Sequence, residues 1–182
     1  MVLGQIKRAI RKYQLSKVRF GKLGTGVEIQ PHYSFQKPEN IFIEDYVYIG
    51  PHAFISGLGG IKIFRGVIIG PRVKIYSANH VFRNARAIPY DETLDERPVE
   101  IHENVWIGGD VIIVPGAIIG EGVIVGAGSV VSGKIPPYSI IAGNPAKVIS
   151  TRDEEHYQEL KAKDLVYFKL KKEGNLERNR VT

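Results

Sequence analysis

The side chains best suited to chemistry in this sequence are its five histidines, because the chain contains no cysteine. An imidazole titrates near neutral pH, so it can accept a proton from an alcohol or bind a metal ion. The lack of cysteine excludes disulfides and thiolate-bound metals in this chain. Among the five, His80 is the main candidate, because with Asn79 it stands where a regular repeat stops and a charged loop begins.

The other four histidines favour structural interpretations. His32 lies in an irregular region and His156 in a predicted C-terminal helix, while His52 and His102 occupy repeat positions expected to face outward. Surface packing is the expected role of each, although His52 would line a cleft if two copies of the chain met along that flank. No two histidines have the spacing of close metal ligands, which disfavours a zinc enzyme, and no metal is expected.

A six-residue repeat must position His80. Aliphatic residues recur at nearly every sixth position: Ile43, Ile49, Ile55, Ile63, Ile69, Ile75, Val81, Ile101, Ile107, Ile113, Ile119, Val125 and Val131. Six helical steps of about 100° would scatter them over different faces, whereas residues i and i+2 of a strand share one face. The repeat therefore predicts very short strands that stack into a parallel solenoid with an aliphatic interior. A single step of eight, within Ile55–Ile63, contains glycines that can bulge.

Segments outside the repeat divide the chain. Residues 1–22 form a basic amphipathic arm, residues 23–150 the solenoid with a protruding loop at 82–98, and residues 151–182 a C-terminal helix and tail. The sequence predicts a single helix over Asp153–Lys172, with acids first and lysines last.

The excess positive charge lies in the arm. Residues 1–22 hold seven basic side chains and no acid, so the remainder has 18 basic and 19 acidic groups out of totals of 25 and 19. The near-neutral solenoid gives no reason to expect nucleic acid binding. No apolar stretch approaches the roughly 20 residues of a membrane span, and no signal core is visible, so a cytoplasmic protein is expected. The arm would either cap the first coil or contact anionic lipid at the inner face of the membrane.

Four motifs, together with the repeat, resemble the hexapeptide-repeat acyltransferases. They are Ser77-Ala78-Asn79-His80, Val105-Trp106-Ile107-Gly108, Val125-Gly126-Ala127-Gly128-Ser129 and Ala142-Gly143-Asn144-Pro145-Ala146. Within this family the chain is most similar to the sugar O-acetyltransferases that act on maltose, galactosides, capsule and colanic acid. The resemblance implies an all-β, left-handed parallel β-helix with short N-terminal and C-terminal helices. It also implies a homotrimer with active sites between subunits.

The resemblance further assigns roles to individual residues. His80, with Asn79 beside it, matches the catalytic base, and the backbone amide of Gly109 matches the donor to the oxyanion. Trp106 would flank the thioester arm of acetyl-CoA, the expected co-substrate. The positions matched to coenzyme binding are Trp106, Gly109, Ala127, Ser132, Lys147 and Arg152.

Two questions stay open on the sequence alone. The group that orients His80 is either a backbone carbonyl or a loop carboxylate, of which the sequence offers Asp91, Glu92, Asp95 and Glu96. The expected reaction is direct transfer of acetyl to a sugar hydroxyl, in a cell-surface polysaccharide or its precursor. The alternatives are N-acetylation of an amino sugar and a non-catalytic β-helical assembly module. The sequence identifies neither the sugar nor the hydroxyl.

Overall fold

The predicted repeat units form short strands in the computed structural model, which describes residues 15–176. The strands are β1 (Lys22–Leu23), β2 (Glu28–Ile29), β3 (Ser34–Gln36), β4 (Ile41–Ile43), β5 (Tyr48–Ile49), β6 (Phe54–Ser56), β7 (Ile61–Ile63), β8 (Ile68–Ile69), β9 (Lys74–Tyr76), β10 (Ala78–His80), β11 (Leu94–Glu96), β12 (Val99–Ile101), β13 (Trp106–Ile107), β14 (Ile112–Ile113), β15 (Ile118–Ile119), β16 (Ile124–Val125), β17 (Val130–Val131), β18 (Lys134–Ile135), β19 (Ser139–Gly143) and β20 (Ala146–Thr151). The helices are a 3₁₀ turn at Pro38–Asn40, α1 (Glu154–Ala162) and α2 (Tyr167–Glu173). Most of the arm predicted at residues 1–22, with its helix, lies outside the described residues.

Three parallel sheets form the faces of a solenoid of about six turns, which confirms the predicted architecture. Face A contains β1, β4, β7, β12, β15 and β18; face B contains β2, β5, β8, β13, β16 and β19; face C contains β3, β6, β9, β14 and β17. The chain visits A, B and C in turn, so residues at equal repeat positions stack, as Ile43, Ile63 and Ile101 do. At the C-terminal end β20 pairs antiparallel with β19.

The interior consists of the aliphatic ladders that the repeat predicts. Ile43, Ile75, Ile107 and Ile113 are fully buried, and so are nearly all their counterparts in the other turns. β-branched side chains suit such short strands because they fit a pleated, closely packed surface. Within the step of eight residues, position 59 requires glycine, because a Cβ there would lie 2.2 Å from the carbonyl oxygen of Ser77.

The segment predicted as a loop at residues 82–98 has a structured base. Its strand β11 pairs antiparallel with β10, so the chain leaves and re-enters the solenoid through a two-stranded hairpin. The amide of Arg97 donates to the carbonyl oxygen of Ser77 at 2.8 Å and closes this base. Within the segment predicted as a protruding loop, the three residues Leu94–Glu96 form a strand whose backbone groups pair with those of β10.

The prediction of one helix over Asp153–Lys172 was also wrong, because the structure divides this segment into α1 and α2. Asp164, between the two helices, adopts a left-handed φ of 53°. Its carboxylate accepts hydrogen bonds from Arg65 Nη2 at 2.6 Å and Lys169 Nζ at 2.5 Å. These contacts stabilise the break between α1 and α2. The helical spacing of the sequence cannot indicate them, because one partner lies on a distant coil.

Both helices pack on face B. Phe168 of α2 is 1% exposed and its ring centroid lies 5.4 Å from that of Tyr48. Tyr157 of α1 donates to Glu121 Oε1 at 2.9 Å and accepts from Asn104 Nδ2 at 3.0 Å, and burial raises the pKa of its hydroxyl. Among the described residues, neither helix has the length and apolar character of a membrane span.

Candidate active site

His80 lies on the hairpin that leaves the solenoid from face C. It is exposed, and in the antiparallel pairing it stands beside Leu94, while the exposed Asn79 stands beside Asp95. The amide of Val81 donates to Thr93 O at 3.0 Å and extends the pairing past His80. A histidine at this place is accessible to substrate while its backbone is held on a regular strand.

An aromatic ring covers one face of the His80 imidazole. The centroid of Tyr90 lies 3.9 Å from that of His80, with 17° between the ring planes. Sequence reasoning missed Tyr90, because the loop has no periodicity and a lone tyrosine carries no signal of the residue it contacts.

Of the four acids that the sequence left open, Asp91 interacts electrostatically with His80. Main-chain hydrogen bonds from Arg86 and Thr93 lower the pKa of Asp91, and the charge of His80 lowers it further. Glu92 pairs with Arg86, whose Nε also lies 3.9 Å from Asp91 Oδ2, and Asp95 pairs with Arg97. Asp91 is thus one loop acid whose charge acts on His80, and no hydrogen bond joins the two side chains.

Gly109 lies at the edge where face B turns into face C. Its neighbours are engaged: Gly108 N donates to Val125 O, and Asp110 N donates to Pro71 O, both at 2.9 Å. Among residues 15–176 the N–H of Gly109 has no acceptor. A backbone donor without an internal partner, at a solvent-facing turn, is available to an incoming oxygen.

The turn that carries this amide is fixed by an ion pair. Asp110 has a left-handed φ of 61°. Its two carboxylate oxygens accept from Nε and Nη2 of Arg72, each at 2.6 Å, and this contact lowers the pKa of the carboxyl. Ala127 occupies the next coil at the same edge, where Gly128 N donates to Gly109 O at 2.9 Å. Like Gly109, Ala127 has an N–H without an acceptor in the described part of the chain.

Trp106 and Arg152 line one groove. The groove has a volume of about 500 Å³ and lies between face B and the two C-terminal helices, and Trp106 is 53% exposed there. Arg152 donates through Nε to Gly122 O at 2.6 Å, and burial lowers the pKa of its guanidinium. Ser132 is exposed beyond β17, and Lys147 is exposed on β20.

The remaining predicted residues fall on two opposite edges of face C. Gly109 and Ala127 precede β14 and β17, at the edge shared with face B, whereas His80 and Ser132 follow β9 and β17, at the edge shared with face A. Five residues of extended chain, on the order of 16 Å, separate Ala127 from Ser132. Within one chain, the structure therefore does not bring the predicted base and the predicted oxyanion donor together.

Comparisons with known proteins agree on the kind of molecule. Residues 98–133 match the family model described as bacterial transferase hexapeptide (six repeats). Nodulation protein L of Rhizobium leguminosarum bv. viciae is 38% identical over 136 residues, covering 71% of this chain and 67% of that protein. Galactoside O-acetyltransferase of Escherichia coli K12 is 31% identical over 150 residues, covering 81% and 73%.

A solved structure resembles most of this chain. The hexapeptide-repeat acetyltransferase VCA0836 of Vibrio cholerae O1 biovar eltor, complexed with acetyl coenzyme A, superposes with a TM-score of 0.71. The two sequences are 31% identical, and the match covers 79% of this chain and 77% of that chain. No group of three or more metal-ligating side chains occurs among residues 15–176.

Proposed function

We propose that this chain, which belongs to the hexapeptide-repeat acetyltransferases and takes acetyl-CoA as its acyl donor, transfers the acetyl group to a hydroxyl of a saccharide. The observation that carries the proposal is the exposed imidazole of His80 on the hairpin, together with the amide of Gly109, which has no acceptor among residues 15–176. Acyl transfer to an alcohol needs both a base and an oxyanion donor. The similarity to a galactoside O-acetyltransferase favours a sugar hydroxyl as the acceptor.

In the proposed reaction, His80 takes the proton of the sugar hydroxyl as its oxygen attacks the thioester carbonyl of acetyl-CoA. The carbonyl oxygen becomes negatively charged and accepts a hydrogen bond from the N–H of Gly109. The tetrahedral intermediate then collapses, the carbon–sulfur bond breaks, and the thiolate of CoA takes the proton from the His80 imidazolium. The products are the acetyl ester and CoA, and the enzyme returns to its starting state.

The positions of these groups favour an active site between two copies of the chain. The edge that bears His80 and Ser132 would face the edge of a neighbour that bears Gly109 and Ala127. Such a heterologous contact closes into a ring when the rotation between copies is regular, and the resemblance to the hexapeptide-repeat acyltransferases implies that the ring is a homotrimer. We therefore retain the homotrimer as part of the proposal.

The coenzyme would lie along the same cleft. The free amide of Ala127 is suited to bind a carbonyl of the pantetheine arm, and the exposed ammonium of Lys147 to meet the phosphates. Arg152 is a weaker candidate than the sequence suggested, since its Nε already binds Gly122 O. Trp106 offers an exposed ring to the arm only if the cleft extends into the groove on face B.

The test combines a product assay with one variant. Labelled acetyl-CoA is incubated with neutral saccharides and with amino sugars matched to them, and the products are identified by mass spectrometry. We expect esters of the neutral saccharides, and a loss of about 10²- to 10⁴-fold in kcat for His80→Ala with acetyl-CoA binding retained. Acetylation of the amino sugars at nitrogen alone would overturn the acceptor class. Near-normal turnover by the variant would overturn the assignment of the base.

A further inference from the structure

The stack between Tyr90 and His80 limits how the proposed base can move. At a centroid separation of 3.9 Å and an interplanar angle of 17°, the tyrosine covers one face of the imidazole and leaves the ring edge, with both nitrogens, uncovered. The side of Tyr90 away from His80 meets solvent, since the residue is 46% exposed. Nothing in the hairpin pairing itself would fix the side-chain torsions of His80, so the contact with Tyr90 supplies a restraint that the strand lacks.

The neighbour of Tyr90 anchors this arrangement. The side chain of Asp91 is only 7% exposed. One carboxylate oxygen accepts from the amide of Arg86 and the other from the amide of Thr93, each at 2.9 Å. The carbonyl of Thr93 in turn accepts from Val81, the residue after His80. The hydrogen bonds of Asp91 thus restrain the backbone on both sides of Tyr90. Stacking on His80 therefore orders little more than the tyrosine side chain and costs little further entropy.

We propose that Tyr90 is a positioning residue for His80, whose ring holds the imidazole in one orientation and stabilises the imidazolium that forms when the base accepts the proton of the acceptor. This inference rests on the proposed role of His80. A cation over the face of a tyrosine ring within about 6 Å is attracted by the ring quadrupole. The carboxylate of Asp91 adds a negative charge that acts in the same direction.

The half-buried Phe64 provides a control for the loss of an aromatic ring that stacks on a histidine. Phe64 stacks on His102 with centroids 4.7 Å apart and planes 5° from parallel, on the solenoid and away from the hairpin. A merely structural contribution of such a stack would appear in Phe64→Ala as well as in Tyr90→Ala. A contribution through the base would appear in the second variant alone.

The kinetic test measures kcat, and KM for acetyl-CoA, in Tyr90→Ala, Tyr90→Phe and Phe64→Ala. We expect Tyr90→Ala to lower kcat by about 2- to 5-fold, the range that a cation–π contact of an exposed ring supports, with KM for acetyl-CoA unchanged. Tyr90→Phe should stay within about twofold of the parent, because phenylalanine keeps the ring face. Tyr90→Ala should cause no further loss in a His80→Ala background, where there is no imidazole left to act through.

A structural readout comes from NMR of the histidine ring protons, with the His80 signals identified by their loss in His80→Gln. The ring current of Tyr90 should shift these signals upfield in the parent and in Tyr90→Phe, and Tyr90→Ala should remove the shift. A parent signal without the upfield shift would overturn the inference, as would an unchanged kcat in Tyr90→Ala while His80→Ala is inactive. If Tyr90→Phe lost as much as Tyr90→Ala, the hydroxyl rather than the ring face would be the acting group. If His80→Ala kept near-normal turnover, the assignment of the base, on which this inference rests, would fail.

Discussion

At the residue scale, the corner between faces B and C changes its chemistry along the solenoid. The position occupied by Gly109 is Pro31, Pro51 and Pro71 in the three preceding coils, and Ala127 in the following one. Proline has no N–H, so this edge first offers a backbone donor at Gly109. A free backbone N–H therefore occurs at this corner only from Gly109 onward, in the coil that follows the hairpin bearing His80.

Because earlier coils have proline at this corner, a proline variant tests the role of the Gly109 amide. Gly109→Pro should fold, because the same corner accepts proline in earlier coils and Gly109 does not have a positive φ. It should lower kcat by about 10²- to 10³-fold, since it removes a single oxyanion donor. The control is Gly109→Ala, which keeps the N–H and places its Cβ 3.2 Å from Pro71 Cγ, a contact that a small shift relieves. A Gly109→Pro variant with normal kcat would exclude the amide from the reaction.

His80 and Gly109 could be selected from the sequence because each sits in a short motif at a break or corner of the repeat. Tyr90 could not, since its contact depends on how residues 81–93 fold back over β10. The same holds for Asp91, which the sequence could not separate from three other loop acids.

At the element scale, the two C-terminal helices depend on contacts that are distant in sequence. The helical character of this segment was visible in its acids and lysines, and α2 ends at Gly174 with a φ of 77°. The interruption was not visible, because Asp164 is held by Arg65, which lies 99 positions earlier in the chain. Local propensity cannot report a partner on a remote coil.

The Asp164 contacts should make helix docking sensitive to acid. Hydrogen bonds from Lys169, and then from Arg65, lower the pKa of this carboxyl below its ordinary value. A group with a lowered pKa contributes stability that is complete above the unfolded value, 3.8, and is lost as the pH falls through the folded value. Trp106, the only tryptophan, lines the groove beneath the helices and can report their release.

We expect a red shift of tryptophan emission and stronger quenching by iodide as the pH falls below about 4. Asp164→Asn should show part of this change already at neutral pH and a smaller acid transition. Glu155→Gln, which alters an exposed acid of α1, serves as the control and should behave as the parent. Identical acid transitions in Asp164→Asn and the parent would show that this ion pair does not hold the helices.

At the scale of the whole molecule, the architecture follows from a local period, which is why the sequence could predict it. Each turn of the solenoid repeats the last, so the period specifies how its three faces stack, but not the hairpin or the two docked helices. The repeat positions of the predicted site residues also indicate that these residues lie on two different edges of the solenoid. Gly109 and Ala127 lie three repeats apart and therefore share an edge, whereas Ser132 falls at another position of the repeat. Recognising this requires knowing which residues turn a corner, and the corner geometry comes only with the structure.

A site assembled from two edges predicts complementation. His80→Ala and Gly109→Pro should each be inactive as pure proteins. Mixed oligomers formed at equal amounts should regain about one quarter of the parent activity, because one contact in four then joins two intact edges. The mixture is checked by native mass spectrometry, and its activity by acetyl transfer to the acceptor found above.

The control mixture pairs His80→Ala with the double variant His80→Ala/Gly109→Pro and contains no intact His80. It should remain inactive. Mixed oligomers of the first kind that also remain inactive would show that each active site lies within one chain.

The antiparallel pairing of β20 on β19 has a consequence for how these molecules coexist in concentrated solution. A stack of parallel strands ends in a row of unsatisfied peptide groups that could template the first strand of another molecule. On face B that row is already occupied by a strand of opposite direction, so an incoming parallel strand meets the wrong pattern of donors and acceptors. The antiparallel strand β20 therefore disfavours end-to-end polymerisation through face B.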